Sequence, residues 1–425
     1  MRMRIASKTK KRLYFIAADY FRFWANFRLK KWNPKIISVT GSVGKTTMLS
    51  LIEAQLKEKA HYSHNANSAF GISFDILNLS GVYGSKLKWF YLFAVAPLRS
   101  ITASHSEKYY VVEIDGERPH ETEFLAKWLK PNINLWVSLG KSHAIQFDEQ
   151  VKNGNFSDVS KAIANEFAWL SRCAKDLVVV DGDNELINES VLNIKAKVEK
   201  VYSNNLLAYD VKPDQTSFRF KNGTFVFDRP MPKEVATQLM ILEKLTSYLK
   251  EKPVYDMSEL DLPPGRSSYF EGIKGLSIID SSYNAHLLSM KSVIEMLNEI
   301  KAKNKWLVLG DMVDQGDSER DQHEELGKII KKSNADVIVL IGKRLKKYTY
   351  PIIKGQKDKS IVTFENVSDA LPFVKKNIVK NQVILFKGSQ YLEWLIEKLL
   401  LNKSDVAKLP RQNVSALKRK NSRGL

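Results

Sequence analysis

The sequence predicts an α/β protein of two principal domains, and three features predict it. Short β-branched runs alternate with helix-length stretches over most of the chain. A glycine turn carries the first such run directly into a helix at residues 36–47. Asp261-Leu-Pro-Pro-Gly265 then interrupts the pattern, and a second alternating series follows it. At roughly 150 residues per domain, 425 residues hold two or three such units.

Taken in order, residues 12–29 contain no turn chemistry and read as a helix. Leu13, Ile16, Ala17, Tyr20, Phe23, Trp24 and Phe27 fall on one wide stripe, with Asp19, Arg22 and Asn26 on the other side. Basic runs flank this aromatic helix, which suits a membrane interface as well as it suits packing on its own domain or on a partner. Strands follow at 35–40, 110–115, 133–139 and 177–181. Residues 200–230 differ, with Phe218, Phe220, Phe225 and Phe227 alternating as in a small antiparallel hairpin, and a helix is expected over 234–249. Past the break, strands are expected at 276–280, 306–310, 337–341 and 383–386.

Charge is concentrated at the ends. The net charge is +19, yet residues 1–35 carry +10 and residues 401–425 carry +6, leaving +3 for the body. A basic groove through the core is therefore not expected, and nucleic acid is not an expected partner. One cysteine, Cys173, excludes an internal disulfide and a multi-cysteine metal centre. No run reaches the ~20 apolar residues of a membrane span. The basic start has neither an unbroken apolar stretch nor a cleavage site, so a cytoplasmic protein is expected.

Ile36-Ile-Ser-Val-Thr-Gly-Ser-Val-Gly-Lys-Thr-Thr47 is the strongest chemical feature. Glycines at 41 and 44 let backbone amides approach phosphate oxygens, and the helix N-terminus adds a favourable dipole. Gly41, Ser42, Val43, Gly44, Lys45, Thr46 and Thr47 are the expected ATP contacts. Lys45 lies along the β- and γ-phosphates and the Thr46 hydroxyl ligates Mg²⁺. The full P-loop pattern asks for glycine where Val39 stands. The expected architecture is a P-loop ATPase domain with a mainly parallel sheet followed by a smaller Rossmann-like α/β domain.

Spelled Thr-Gly-Ser-Val-Gly-Lys-Thr-Thr, the loop resembles that of the Mur ligases, which join amino acids or peptides to cell-wall precursors. Further stretches follow in that family's order: Asn65-Ala-Asn67, Val112-Glu113-Ile-Asp-Gly-Glu-Arg-Pro119, Ser138-Leu-Gly140-Lys-Ser-His143 and Pro264-Gly265-Arg266. Asp280-Ser-Ser-Tyr-Asn-Ala285, Leu309-Gly-Asp-Met312, Lys387-Gly388-Ser389 and Leu409-Pro-Arg-Gln412 complete the series. The resemblance covers about 35–412 and is strongest to the members that add D-Ala-D-Ala to a muramoyl-peptide precursor. It implies an ATP-dependent, carbon–nitrogen bond-forming ligase that works through an acyl phosphate.

By the same resemblance, Glu113 and His143 hold a second Mg²⁺ near the acceptor carboxylate, beside Lys45 as catalytic groups. Arg266 and Asp280 reach the nucleotide from the second domain, and Tyr283 and Asn284 flank its adenine. Asn67, Lys161 and Lys387 are weaker candidates for substrate contacts. Lys387 is open between an exposed strand-end lysine and a ligand for the incoming peptide's carboxylate. The implied division is a basic aromatic helix at 1–33, a central ATP-binding domain at 34–260, a ligase domain at 261–403 and a basic tail at 404–425.

The sequence departs from the family in three places. Aligning Glu166 to the glutamate that follows a carbamylated lysine in many members puts Ala164 at the lysine position, with Lys161 one turn earlier. The Gly-x-His-Asn segment is replaced by Met231-Pro-Lys-Glu-Val-Ala-Thr-Gln238. About 33 residues precede the phosphate loop, where the family has a domain that grips UDP. An acceptor that is lipid-linked or met at a membrane, with peripheral contact through the N-terminus, is the expectation this raises. The alternatives are a Mur-type ligase for another amino acid or polyglutamate, and a P-loop ATPase that does not ligate.

Overall fold

A computed structural model describes residues 2–64, 66–80, 86–141, 143–389, 391–413 and 420, with backbone alone for 2–12 and 86. Much of the basic tail at 404–425, and Asn65 and Ser142 of the quoted motifs, lie outside the described residues. The chain divides into two compact units. One comprises Met1–Leu139, Asn153–Val201 and Met240–Lys252, and the other Gly140–Lys152, Tyr202–Leu239 and Pro253–Leu425.

The first unit opens with helix α1 (Arg2–Trp32), strand β1 (Lys35–Thr40), α2 (Lys45–Leu56), β2 (Ala60–Tyr62), α3 (Ala69–Ile76) and α4 (Lys86–Thr102). It continues with β3 (Tyr109–Glu113), α5 (Glu121–Leu129) and β4 (Ile133–Trp136). The short α6 (Asp148–Lys152) belongs to the second unit, after which come α7 (Val159–Cys173), β5 (Leu177–Asp181), α8 (Glu185–Ser190) and β6 (Lys197–Val201). The strands form one parallel sheet in the order β2-β3-β1-β4-β5-β6. Its central strands β3 and β4 are buried at every residue, as a sheet covered on both faces requires.

Helix α1 runs further than the expected 12–29, and it packs on its own unit. Ala18, Phe21, Ala25 and Leu29, spaced three and four apart, are buried against Ile72, Phe74, Leu92 and Ala96. The Phe21 ring lies 4.9 Å from Phe74 and 4.8 Å from Phe93. The Tyr20 hydroxyl donates to the Phe93 carbonyl at 2.8 Å, so α1 and α4 are neighbours over one core.

In the second unit, β7 (Ala208–Val211), β8 (Thr216–Arg219) and β9 (Thr224–Phe227) make a three-stranded antiparallel sheet, one strand more than the expected hairpin. Helix α9 (Val235–Leu249) follows, its residues from Met240 onward belonging to the first unit. Then come β10 (Ser268–Gly272), β11 (Leu276–Asp280), α10 (Leu287–Glu299), β12 (Lys305–Gly310), α11 (Glu319–Lys331) and β13 (Val337–Ile341). The unit ends with α12 (Tyr350–Ile353), β14 (Ser360–Phe364), α13 (Val367–Asn377), β15 (Val383–Lys387) and α14 (Glu393–Glu397). The sheet order is β10-β11-β15-β12-β13-β14, parallel except for β10.

Side-chain alternation explains its three layers. Leu307, Leu309, Ile338, Leu340 and Leu385 face a core shared with α10 and α11. Val308, Val339, Ile341, Ile384 and Phe386 face the opposite core with α13 and α14. The elements that sequence pattern did not reveal (β2, β6, β10 and β14) are all edge strands, short or rich in charge and half-exposed side chains, which blurs the apolar pattern. No helix among the described residues is long and apolar enough to cross a membrane.

Candidate active site

In the first unit, β1 ends in the glycine turn because nothing larger fits there. Gly41 has φ 144°, and a Cβ on it would meet the Ser138 backbone nitrogen at 2.9 Å. Gly44, at φ 87°, caps the start of α2 in the left-handed region. Ser138 pins the turn: its hydroxyl accepts from the Val43 amide at 2.9 Å and donates to the Val43 carbonyl at 2.7 Å, and its carbonyl accepts from the Ser42 amide.

Lys45 is buried, with Nζ donating to the Gly41 carbonyl at 2.6 Å and paired with the Asp115 carboxylate at 2.5 Å. The Thr46 hydroxyl donates to Glu113 Oε1 at 3.2 Å. Glu113 closes β3, buried, and its own amide donates to the Ser63 hydroxyl. Asn67 Nδ2 donates to the other Asp115 oxygen at 3.4 Å, and the Asp115 amide donates to the Asn67 carbonyl. Lys45, Thr46, Asn67 and Glu113 are therefore brought together, with Val43, Gly44 and Thr47 half-buried around them.

Asp115 and Glu117 belong to this group although they were not singled out from sequence. Both stand inside the quoted stretch 112–119. Burial and the hydrogen-bonded Asp115 carboxylate push the Glu117 carboxyl up to about 7. Crowded hard oxygen donors from Thr46, Glu113, Asp115 and Glu117 are the chemistry a Mg²⁺ ion favours, and a divalent cation would relieve their mutual repulsion. The residues fit the ion.

His143 lies in the second unit, in a left-handed conformation at φ 52°, its ring 5.8 Å from that of His286. Lys161 is exposed in the first turn of α7, one turn before the buried Ala164. Glu166 is buried and accepts from the amides of His120 at 3.0 Å and Thr122 at 2.7 Å, so it caps the start of α5.

The second unit gathers a different group at the ends of β11 and β15. Asp280 is fully buried. Its Oδ1 accepts from the Ser282 amide at 2.8 Å, its Oδ2 has no hydrogen-bond partner among the described residues, and burial raises its carboxyl. The Arg266 guanidinium sits 4.8 Å from the Tyr283 ring centre, and Tyr283 and Asn284 are exposed. Lys387 is buried, its ammonium pushed down to about 7 by burial and by the nearby Arg266, with Asp280 opposing.

Two further residues join them. Arg411 pairs with the buried Glu393 at 3.0 Å and donates to the Tyr283 and Ser282 carbonyls. Burial pushes the Glu393 carboxyl up to about 7. Arg411 was legible only as part of the quoted stretch 409–412. Leu309-Gly-Asp-Met312, in contrast, builds scaffold: buried Asp311 accepts from the Leu345 amide at 2.9 Å, and the Met312 amide donates to His323 Nε2.

Residues 265–390 match the family model described as Mur ligase, glutamate ligase domain. Over 382 residues the chain is 22% identical to the UDP-N-acetylmuramoyl-tripeptide–D-alanyl-D-alanine ligase of Rickettsia prowazekii, covering 86% of this chain and 78% of that one. The enzyme of the same name from Bacillus subtilis is 23% identical over 88% and 77%. The fold matches that of the MurF ligase from Thermotoga maritima in complex with ADP, with a TM-score of 0.71 at 19% identity over 90% and 83% of the two chains. MurF from Acinetobacter baumannii gives 0.69 at 18% identity over 91% and 79%.

Proposed function

We propose that this chain, a homologue of the Mur ligases, is an ATP-dependent amide ligase that adds D-Ala-D-Ala to a muramoyl-peptide cell-wall precursor. The observation that carries the reading is the first unit's phosphate loop, where Lys45 and Thr46 stand against Asp115 and Glu113 at 2.5 and 3.2 Å. A carboxylate is a poor partner for an amine because its oxygen does not leave. The acceptor carboxylate therefore attacks the γ-phosphorus, ADP departs, and the amine attacks the resulting acyl phosphate. The amine loses a proton and inorganic phosphate leaves.

Two anions must approach each other in the first step, so the site has to offset charge. Lys45 is proposed to exchange Asp115 for the transferred phosphoryl group. Thr46, Glu113 and His143 are proposed as Mg²⁺ ligands, and the carboxylates of Asp115 and Glu117 suit the same ion. Mg²⁺, when bound, neutralises phosphate and carboxylate charge. Gly41 to Thr47 supply amides and hydroxyls to the phosphates. Arg266, Asp280, Tyr283 and Asn284 are proposed for the nucleotide. Asn67 and Lys161 are proposed for the acceptor, and Lys387 for the incoming carboxylate. The division at 34–260 and 261–403 is part of this proposal, as is action in the cytoplasm on a soluble or lipid-linked precursor.

The test is phosphate release from ATP and Mg²⁺ with a muramoyl-tripeptide acceptor, with and without D-Ala-D-Ala. Release that requires both, with a product heavier by the dipeptide and abolished in Lys45→Ala, supports the reading. Hydrolysis indifferent to both substrates, yet still dependent on Lys45, leaves an ATPase and sinks it.

A further inference from the structure

Helices α1 and α4 bury one face each in the same core, and their outer faces are also apolar. On α1, Leu13, Ile16, Phe23 and Phe27 recur at helical spacing and are 58–64% exposed. On α4, Leu87, Phe90, Tyr91, Leu98 and Ile101 recur likewise and are 59–81% exposed. At 100° per residue, the exposed stripe of α1 lies opposite Ala18, Phe21 and Ala25, and that of α4 lies opposite Leu92 and Ala96. Both stripes therefore turn away from the shared core. Side-by-side helices with nine large apolar side chains in the open are more than scattered surface hydrophobes.

The charge on these two helices is predominantly positive. Helix α1 holds ten Lys or Arg residues against Asp19, which is ion-paired with Arg22 at 2.5 Å. Helix α4 adds Lys86, Lys88 and Arg99 and has no acid. Lys30 and Lys31 end α1 exposed, and Lys88 is exposed at the start of α4. A second copy of this face would bring the same positive charge against itself. An anionic bilayer supplies both an apolar interior and the opposite charge.

We propose that the outer faces of α1 and α4 together form a docking surface for an anionic phospholipid bilayer, the aromatic and aliphatic stripes entering the headgroup boundary while the lysines and arginines meet lipid phosphate. It deepens the lipid-linked form of the precursor in the function proposed above and rests on that reading, but the binding itself needs neither nucleotide nor acceptor. The N-terminal helix thus serves two purposes, one per face: Phe21 holds it to the protein, and Phe23 and Phe27 offer it to lipid.

The full chain, without nucleotide, is sedimented with vesicles of mixed phosphatidylglycerol and phosphatidylcholine and with vesicles of phosphatidylcholine alone. Binding is expected to the anionic vesicles and to weaken as salt is raised. Phe23→Ser/Phe90→Ser should lower partitioning by about a hundredfold while leaving the unfolding temperature within a few degrees. Lys30→Glu/Lys31→Glu should lower it by about tenfold or more. A chain that stays in the supernatant, binds both vesicles alike, or binds equally well in the double Phe variant overturns the proposal. So does a dimer that the same Phe substitutions dissociate, since a second copy then covers the face. D-Ala-D-Ala-dependent phosphate release on a soluble acceptor, measured in the same Phe variant, reports separately on the ligase reading.

Discussion

Two of the buried lysines, Lys45 at the start of α2 and Lys387 at the end of β15, lie one in each unit and meet different neighbours. Lys45 follows β1 and finds a carboxylate at 2.5 Å and a carbonyl at 2.6 Å. Lys387 ends β15 with Arg266 near it and the buried Asp280 as the opposing charge, and its ammonium is pushed down to about 7. At Lys387 burial is the main cause, with Arg266 adding to it and Asp280 opposing. In the proposed reaction Lys45 exchanges the Asp115 carboxylate for the transferred phosphoryl group. Lys387 has Asp280 alone set against burial and Arg266, and the carboxylate proposed to arrive there would add a second opposing charge.

The largest effect should come from removing the satisfied lysine. Lys45→Ala is expected to lower ATP-dependent phosphate release by about a thousandfold, because the developing phosphoryl charge loses a preorganised cation. Asp115→Asn makes the comparison sharper, since it keeps Lys45 but takes away its resting partner. Nucleotide titration of the two variants should give weaker binding for Lys45→Ala and a smaller change for Asp115→Asn. Equal losses would mean that Lys45 acts only through its pairing with Asp115.

The second unit makes a prediction about pH. Lys387 has a folded pKa below its ordinary 10.5, so its stability contribution is present above 10.5 and lost as pH falls toward about 7. Glu393 has a folded pKa raised from 4.5 to about 7, so its contribution is present below 4.5 and lost as pH rises toward 7. Together they place a stability minimum near neutrality, with slopes of up to roughly 1.4 kcal/mol per pH unit on either side. Urea unfolding of Lys387→Met should remove the alkaline rise and keep the acidic one. A wild-type profile flat from pH 7 to pH 9 would show that Lys387 already has its counter-charge.

A steric prediction of about 3 kcal/mol follows at the loop after Lys387. Gly388 approaches the Gly310 backbone so closely that a Cβ there would overlap it. Gly388→Ala should force β12 and β15 apart at their ends, read as a lower urea midpoint and a weakened response to substrate together. Loss of either response without the other would separate the packing of this loop from the setting of the Lys387 charge.

The sheets were largely legible in the sequence, because central parallel strands such as Val337–Ile341 read as unbroken apolar runs bounded by turns. The edge strands were not, since Lys197–Val201 has three charged residues and only one fully buried valine. In the phosphate loop, local sequence dictates local shape, so Gly41 to Thr47 could be named from spacing alone. Asp115 could not be ranked above its neighbours that way: its role comes from β1 and β3 being paired in parallel, which puts it beside Lys45 across a separation of seventy residues. The same holds for Arg411, whose partners Glu393 and Tyr283 lie in other elements. Residues that act through a backbone turn are visible early, and residues that act through tertiary pairing wait for the fold.

Glu166 gives the smallest test and the one that isolates burial from charge pairing. It is as buried as Lys45 or Lys387, yet its bonded partners are two backbone amides, at 3.0 and 2.7 Å, at the left-handed start of α5. Burial raises its carboxyl while those amides hold it down. Glu166→Gln keeps one acceptor and should cost about 1 kcal/mol; Glu166→Ala leaves both amides unpaired and should cost about 2 kcal/mol. Nucleotide affinity should be unchanged in both, because Glu166 serves the α5 terminus and no hydrogen bond joins it to Lys45. A Glu166→Ala variant of full stability that bound ATP poorly would move this carboxylate from the scaffold into the site, and the contrast between the two lysines would then need a third charge to explain it.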